Sequence, residues 1–137
     1  MNGTSHAIAD SACPCGRGRY ATCCGLLHAG LVASTAEDLM RARYSAYVLG
    51  LEAYVLASWH RSTRPASAGS NDIERTRWLG LTVKRHEAKG DRATVEFVAR
   101  YRTDGRGRRL HEISRFVRED GCWYYVDGDV NDEPPTR

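Results

Sequence analysis

From Ala36 to Leu49 the apolar positions recur every three to four residues. Leu39, Met40, Tyr44, Tyr47 and Val48 fall on one stripe, with Arg43 among them, which is the spacing of a helix with one buried face. Thr35 followed by Asp38 reads as an N-cap with a variant of the capping box, and Gly50 ends the run. A second helix is expected over 51–58, finishing at Trp59-His60. Residues 61–71 (RSTRPASAGSN) have the composition of a loop, followed by a short helix at 72–76. Beyond that the period changes to two. Strands are expected at 77–89, 92–103, 108–119 and 122–128, with tight turns at Gly90-Asp91 and Asp120-Gly121 and a looser one from Asp104 to Gly107. Helices followed by four consecutive antiparallel strands predict an α+β roll, a curved sheet with the helices packed on its concave face.

Turn length fixes which residues share a face. A two-residue turn at Asp120-Gly121 pairs Glu119 with Cys122, hence Phe116 with Tyr125 and Ser114 with Asp127. Glu112, Ser114, Phe116, Trp123, Tyr125 and Asp127 then lie on one face, and Ile113, Arg115, Val117, Cys122, Tyr124 and Val126 on the other. If the first set is concave, the carboxylates of Glu112 and Asp127 stand beside aromatic walls formed by Phe116 and Tyr125. Burial there would raise a carboxyl pKa and suit acid/base work. Trp59 and His60, at the end of the second helix, are placed to close the mouth of such a pocket. His60, Glu112 and Asp127 are therefore the candidate catalytic residues. Each has a plainer alternative: Asp127 capping the turn at Gly128, Glu112 paired with Arg115 or Arg100, His60 bonding at a helix end.

Four cysteines sit within twelve residues, Cys13, Cys15, Cys23 and Cys24, in the run CPCGRGRYATCCG. Four thiolates so close read as one tetrahedral zinc site. A disulfide needs Cα atoms about 4.4–6.8 Å apart with converging Cβ vectors, which neighbours such as Cys23 and Cys24 meet only with a strained peptide. Two bridges between the pairs, an unmetallated thiol cluster and an iron–sulfur cluster are the alternatives; the C-x-C and C-C spacings are not the usual ferredoxin runs. Pro14 stiffens the first pair, and Gly16 and Gly18 let the backbone curl so that amide N–H groups face the sulfurs. A site closed by four protein ligands has no open position for catalysis, so the zinc is expected to be single and structural. Arg17, Arg19 and Tyr20 would project from this knob as a recognition surface. The fifth cysteine, Cys122, reads as a small buried apolar side chain.

At 137 residues the chain suits one small domain with its own core. No apolar stretch approaches the length that spans a bilayer, and MNGTSHAIADSA has no secretory pattern. The expectation is a cytoplasmic protein without a membrane partner, in a compartment that keeps thiols reduced and open to metal. The net charge of +3 hides an asymmetry: thirteen Lys/Arg against five Asp/Glu from Arg75 to Arg118, then six acids against one base from Glu119 to Arg137. A basic middle attracts nucleic acid or an acidic partner; the plainer reading is a solvated strand face.

The cysteine run resembles the SEC-C motif, the small zinc-binding module found at the C-terminus of the SecA translocation ATPase and in many bacterial proteins, familiar as CPCGSGKKYKKCCG. Cys13, Cys15, Cys23, Cys24, Gly16, Gly18, Tyr20 and Gly25 fall on it. Seven residues separate Cys15 from Cys23 against eight in the familiar form, and Arg17 replaces its serine. Downstream, LMRARYSAYVLGLEAYVLASWH, WLGLTV, FVARY, SRF and WYYVDG resemble the YchJ-like family of bacterial proteins. The two resemblances together span Cys13 to Gly128. They imply a zinc knuckle joined to a nuclear-transport-factor-2-like (cystatin-type) roll, and they imply no reaction. Many relatives carry a second zinc motif at the C-terminus, which the ending DVNDEPPTR does not match.

The expected organisation is a flexible tail over 1–12, the knuckle over 13–30, the roll over 31–130 and an acidic tail over 131–137. The leading functional expectation is a zinc-bearing interaction or accessory protein without its own chemistry, with a protein partner. The alternatives are a small-molecule-binding or enzymatic roll using Glu112, Asp127 and His60, and an RNA- or ribosome-associated module using the basic middle. The sequence sets no oligomeric state.

Overall fold

The computed structural model describes residues 11–68 and 76–133. A 3-10 turn at Tyr20–Thr22 leads into α1 (Cys24–His28). Then come α2 (Ala36–Leu49), α3 (Glu52–Ala57) and four strands, β1 (Thr76–Lys89), β2 (Arg92–Thr103), β3 (Arg106–Glu119) and β4 (Cys122–Glu133). The strands form one antiparallel meander in the order β1-β2-β3-β4. The helix expected at 72–76 lies, apart from Thr76, outside the described residues. Among those residues no helix is long and apolar enough to cross a membrane.

Local chemistry sets the boundaries. The Asp38 amide donates to Thr35 Oγ1 at 3.0 Å, capping α2, and Gly50 closes it in the left-handed conformation at φ 73°. Asp104 and Gly105 both take positive φ, 54° and 79°, so they make a two-residue turn that pairs Thr103 with Arg106. The looser connection expected there is absent, and β3 begins two residues early. β4 continues past the expected end, pairing Asn131, Asp132 and Glu133 with His111, Leu110 and Arg109. Residues 131–133, expected as tail, are thus strand. Ser11 and Ala12, also expected as tail, are held in the knuckle: Ser11 O accepts the Tyr20 amide at 2.9 Å, and Ala12 bridges Arg19.

One irregularity decides the site. Phe116 pairs with Tyr125 as expected, but Arg115 pairs with Asp127 and Ser114 with Gly128. Val126 is the extra residue of a β-bulge, and everything beyond it changes face. Two further register shifts, at Trp78/Gly80 and Val83/Arg85, interrupt β1 and bend the sheet around the helices.

α2 is buried on two sides. Ala36, Leu39, Met40 and Tyr44 pack on Val95, Phe97 and Ala99 of β2, Phe116 of β3 and Trp123 of β4. Each large side chain there contributes about 1.5–3 kcal/mol by leaving water. The other side presents Ala42, which clusters with Cys13, Cys15 and Cys24, and Ser45, whose Oγ lies 3.6 Å from Cys13 Sγ. Small residues let the knuckle approach the helix backbone closely. α2 is therefore a layer between sheet and knuckle.

Candidate functional site

The four sulfurs of Cys13, Cys15, Cys23 and Cys24 all lie within 4.8 Å of one another, and Cys15 and Cys23 Sγ are 3.6 Å apart. Sulfurs about 2.3 Å from a common centre in a tetrahedron are separated by about 3.8 Å, so the arrangement fits a metal ion. Cys13, Cys15 and Cys24 are buried, with Cys15 only 1 % exposed. The backbone supplies the expected curl: Gly16 and Gly18 take φ of 88° and 110°, and the Arg17 amide donates to the Cys15 sulfur. A hydrogen bond from Cys24, with the Arg17 amide and against the effect of burial, holds the Cys15 thiol down to about 4. Donating that bond, together with burial, pushes Cys24 up. One ready thiolate supported by neighbouring thiols is a suitable first ligand for a soft or borderline cation. These four cysteines could hold a metal ion.

The knuckle docks on α2 through polar contacts. His28 Nε2–H donates to the Ala42 carbonyl at 2.8 Å, and its Nδ1 accepts from the Tyr20 hydroxyl at 2.7 Å. The ring also meets Tyr54 edge-on, with centroids 4.7 Å apart. Arg41 NH1 donates to the Cys15 carbonyl at 3.0 Å, and Arg17 pairs with Asp38 at 2.7 Å. Of the side chains expected to project outward, Arg17 stays exposed while its guanidinium reaches Asp38 on α2, and Tyr20 is half-buried with its hydroxyl on His28 of the knuckle itself; Arg19 of the three has no such side-chain contact among the described residues.

Two predictions arise here. A Cβ on Gly25 would lie 2.5 Å from the Tyr20 carbonyl oxygen and 3.0 Å from its ring. Gly25→Ala is expected to displace the 3-10 turn, cost about 1–3 kcal/mol by overpacking and lower metal retention, measured by thermal melting and metal content together. Burial lowers the His28 pKa, with the Ala42 bond opposing it. The unfolded chain therefore takes up this proton first, at about pH 6.5. The ring's stabilising contribution is complete above that pH and declines as pH falls through it. In thermal melts from pH 7.5 to 5, His28→Phe should lose less stability than the parent; an identical slope would remove His28 as the cause.

The second site is a cavity of about 270 Å³ beneath α2, lined among others by Arg43, Tyr47, Trp59, Trp78, Glu112 and Tyr125. Of the residues expected in the pocket, Trp59, Glu112, Phe116 and Tyr125 line it. His60 and Asp127 do not: the β4 bulge turns Asp127 to the other face, and the backbone bridge to Tyr125 turns His60 away. Tyr125 exchanges backbone bonds with the end of α3, its amide donating to Ser58 O at 2.9 Å and its carbonyl accepting from His60 N at 2.7 Å. In this extended bridge neighbouring side chains alternate, so Trp59 faces the cavity and His60 faces away. His60 Nε2 instead reaches Glu119 at 3.0 Å. Asp127 emerges on the convex face, where Arg115 Nε donates to it at 2.6 Å and binds Asp129 as well. Neither plainer pairing of Glu112 with Arg115 nor a cap by Asp127 is what the structure shows. The excess acid of the C-terminal stretch is partly spent on the basic middle, since β4 lies beside β3.

Glu112 is 8 % exposed. Its Oε2 accepts from Ser114 Oγ at 2.6 Å and from the Tyr125 hydroxyl at 3.0 Å. Burial and the adjacent carboxylate raise the Tyr125 pKa and keep it a donor. Gly128 makes room: a Cβ there would land on the Glu112 carboxyl group. Across the cavity Arg43, 6 % exposed, donates from NH1 to Val55 O at 2.8 Å and Ser58 Oγ at 2.7 Å. Its guanidinium carbon lies 4.9 Å from the Trp59 ring centre and 4.3 Å from that of Tyr125. Sequence reasoning did not single out Arg43, Tyr47, Trp78 or Gly128. The available signals were a charge within an apolar helical stripe and a glycine inside a strand, which marks a close approach. Cys122, expected buried, is half-buried at the β3–β4 turn.

Comparison with known proteins agrees with this architecture. The family profile described as the YchJ middle, NTF2-like domain matches residues 35–128. A UPF0225 protein of Ralstonia nicotianae is 56% identical over 132 residues, covering 88% of this chain and 92% of the relative. One from Xanthomonas campestris is 59% identical over 118 residues, covering 84% and 92%. A SEC-C motif containing protein from Rhodopseudomonas palustris, solved in solution, superposes with a TM-score of 0.80 at 36% identity, covering 87% of this chain and 98% of that one. A crystal structure of a SEC-C motif containing protein from Psychrobacter arcticus gives 0.75 at 30% identity, covering 93% and 86%. The chain belongs to the YchJ-like UPF0225 family, with an NTF2-like roll and an N-terminal SEC-C cysteine cluster.

Proposed function

We propose that this member of the YchJ-like family is a zinc-stapled accessory module, in which one Zn²⁺ bound by Cys13, Cys15, Cys23 and Cys24 clips the N-terminal knuckle onto α2 and does no chemistry. The observation that carries this reading is the convergence of four sulfurs within 4.8 Å directly against Ala42 and Ser45. All-cysteine ligation favours zinc among common cations and leaves no coordination position for substrate water. A knuckle this small has little core of its own, so metal binding supplies much of its folding energy.

Recognition in this reading falls to the apolar side chains exposed beside the clip, Leu26, Leu31 and Val32, which suit a protein partner. Hydrogen exchange before and after chelation tests the clip. Amides of residues 13–28 should lose protection while the β2–β3 ladder keeps it. Equal loss in the sheet, or no loss in the knuckle, contradicts a local staple. Leu31→Ser should remove a co-purifying protein while the zinc content stays unchanged; a partner that survives this change sits elsewhere.

A further inference from the structure

The cavity under α2 has a polar complement that the fold itself leaves incomplete. Arg43 is a buried cation, and among the described residues no carboxylate pairs with it; Tyr125 stands between it and Glu112. Breaking or omitting one side of a buried ion pair is costly, so a facing anion would be strongly favoured there. Its bonds to Val55 and Ser58 both use NH1, which leaves the Nε–NH2 edge of the fork for a planar oxyanion. The indole N–H groups of Trp59 and Trp78 are buried without an acceptor among the described residues, and both rings line the same cavity. Buried donors are normally paired; Trp123 and His86 carry orphaned nitrogens as well, away from the cavity, but those of Trp59, bridged to β4, and Trp78, on β1 at the opposite sheet edge, border a space that an outside acceptor could fill.

Glu112 supplies the opposite character. Its Oε2 already takes two donors, while a carboxylate has room for about four, so it can accept a further hydroxyl or amino group. Between these two ends the walls are aromatic rings, which pack best on a flat ligand. Size narrows the class. A cavity of about 150 Å³ accommodates one benzene, and this one measures about 270 Å³, enough for one ring with polar substituents.

We propose that the cavity binds a small, single-ring organic acid, its carboxylate held by Arg43 and the neighbouring Trp59 indole N–H group, its ring bordered by Trp78 and a donor substituent held by Glu112. The inference is independent of the zinc reading, because no cysteine of the knuckle lines the cavity.

The test is a titration of the full chain with 4-hydroxybenzoate, benzoate, phenol and toluene, followed by the indole N–H resonances of its three tryptophans. 4-Hydroxybenzoate should shift the Trp59 and Trp78 signals with a Kd below about 1 mM and leave Trp123, which does not line the cavity, in place. Benzoate and phenol, each lacking one end, should bind at least tenfold more weakly, and toluene should not compete. Glu112→Gln should bring 4-hydroxybenzoate and benzoate to within about threefold of each other. Arg43→Gln should abolish binding of both acids; if that variant does not fold, the ligand series and Glu112→Gln decide. Equal affinity for toluene, phenol or benzoate, or no Trp59 and Trp78 response at about 10 mM of the hydroxy acid, overturns the proposal.

Discussion

Replacing Cys15 with serine is expected to release the metal and melt the knuckle while the sheet remains. Cys15 is the most deeply buried of the four clustered cysteines, its sulfur collects hydrogen bonds from the other cysteines and the Arg17 amide, and its carbonyl is held by Arg41. A serine oxygen is harder and sits on a shorter bond, so the tetrahedron cannot close around the same centre. Without metal the Tyr20–His28–Ala42 chain loses its support, and Ala42 and Ser45 lose their cover. The sheet ladders contain no residue of the knuckle, so strand pairing persists. Metal content should fall from about one per chain to near zero, and the melting temperature by about 10 °C, equivalent to roughly 3 kcal/mol for a domain of this size. Cys122→Ser, at a turn far from the cluster in sequence, should change neither. Retained metal in Cys15→Ser would remove that residue from the ligand set.

Arg43→Ala should cost about as much through different physics. The substitution removes two charge-assisted bonds to the end of α3 and withdraws a cation from between the Trp59 and Tyr125 rings. It also enlarges a cavity already present. Hydrogen bonds from charged donors are worth about 1.5–3 kcal/mol each, while the Ser58 hydroxyl still donates to Val55 O and limits the damage. A loss of about 4 kcal/mol follows, seen as a lower denaturant midpoint with an unchanged slope. Lysine should restore only part of this, since it cannot fork or stack as a guanidinium does. Metal content should remain at the parent level, which separates the two variants. A neutral Arg43→Ala would mean that the buried guanidinium contributes nothing net to stability.

Much of this fold is readable in the chain because period and punctuation agree. Helix α2 was legible at both ends from Thr35 and Gly50, and the strands from alternation between glycine turns. Alternation and turn length grouped Glu112, Ser114 and Phe116 on one face of the sheet and left open which face is concave; the structure puts that face inside. The same argument failed at Asp127, because a one-residue bulge at Val126 carries no compositional mark and reverses every face beyond it. His60 failed for a related reason: its neighbour Trp59 is committed inward by a two-bond bridge to Tyr125, a tertiary contact with no local signature. The cysteine cluster was legible because four sulfurs at short spacing have few geometric uses. What its spacing did not show is where the surrounding side chains point. Arg17 and Tyr20 look like surface groups in sequence; Arg17 remains exposed but is tied to Asp38 across the interface, and Tyr20 is half-buried because His28 of the same knuckle takes its hydroxyl.

Zinc K-edge X-ray absorption on freshly purified, reduced protein, combined with elemental analysis, tests the central claim most directly. One zinc per chain, surrounded by four sulfurs at about 2.3 Å, is the predicted result. Absence of stoichiometric zinc, with all four knuckle thiols open to rapid alkylation, would contradict it.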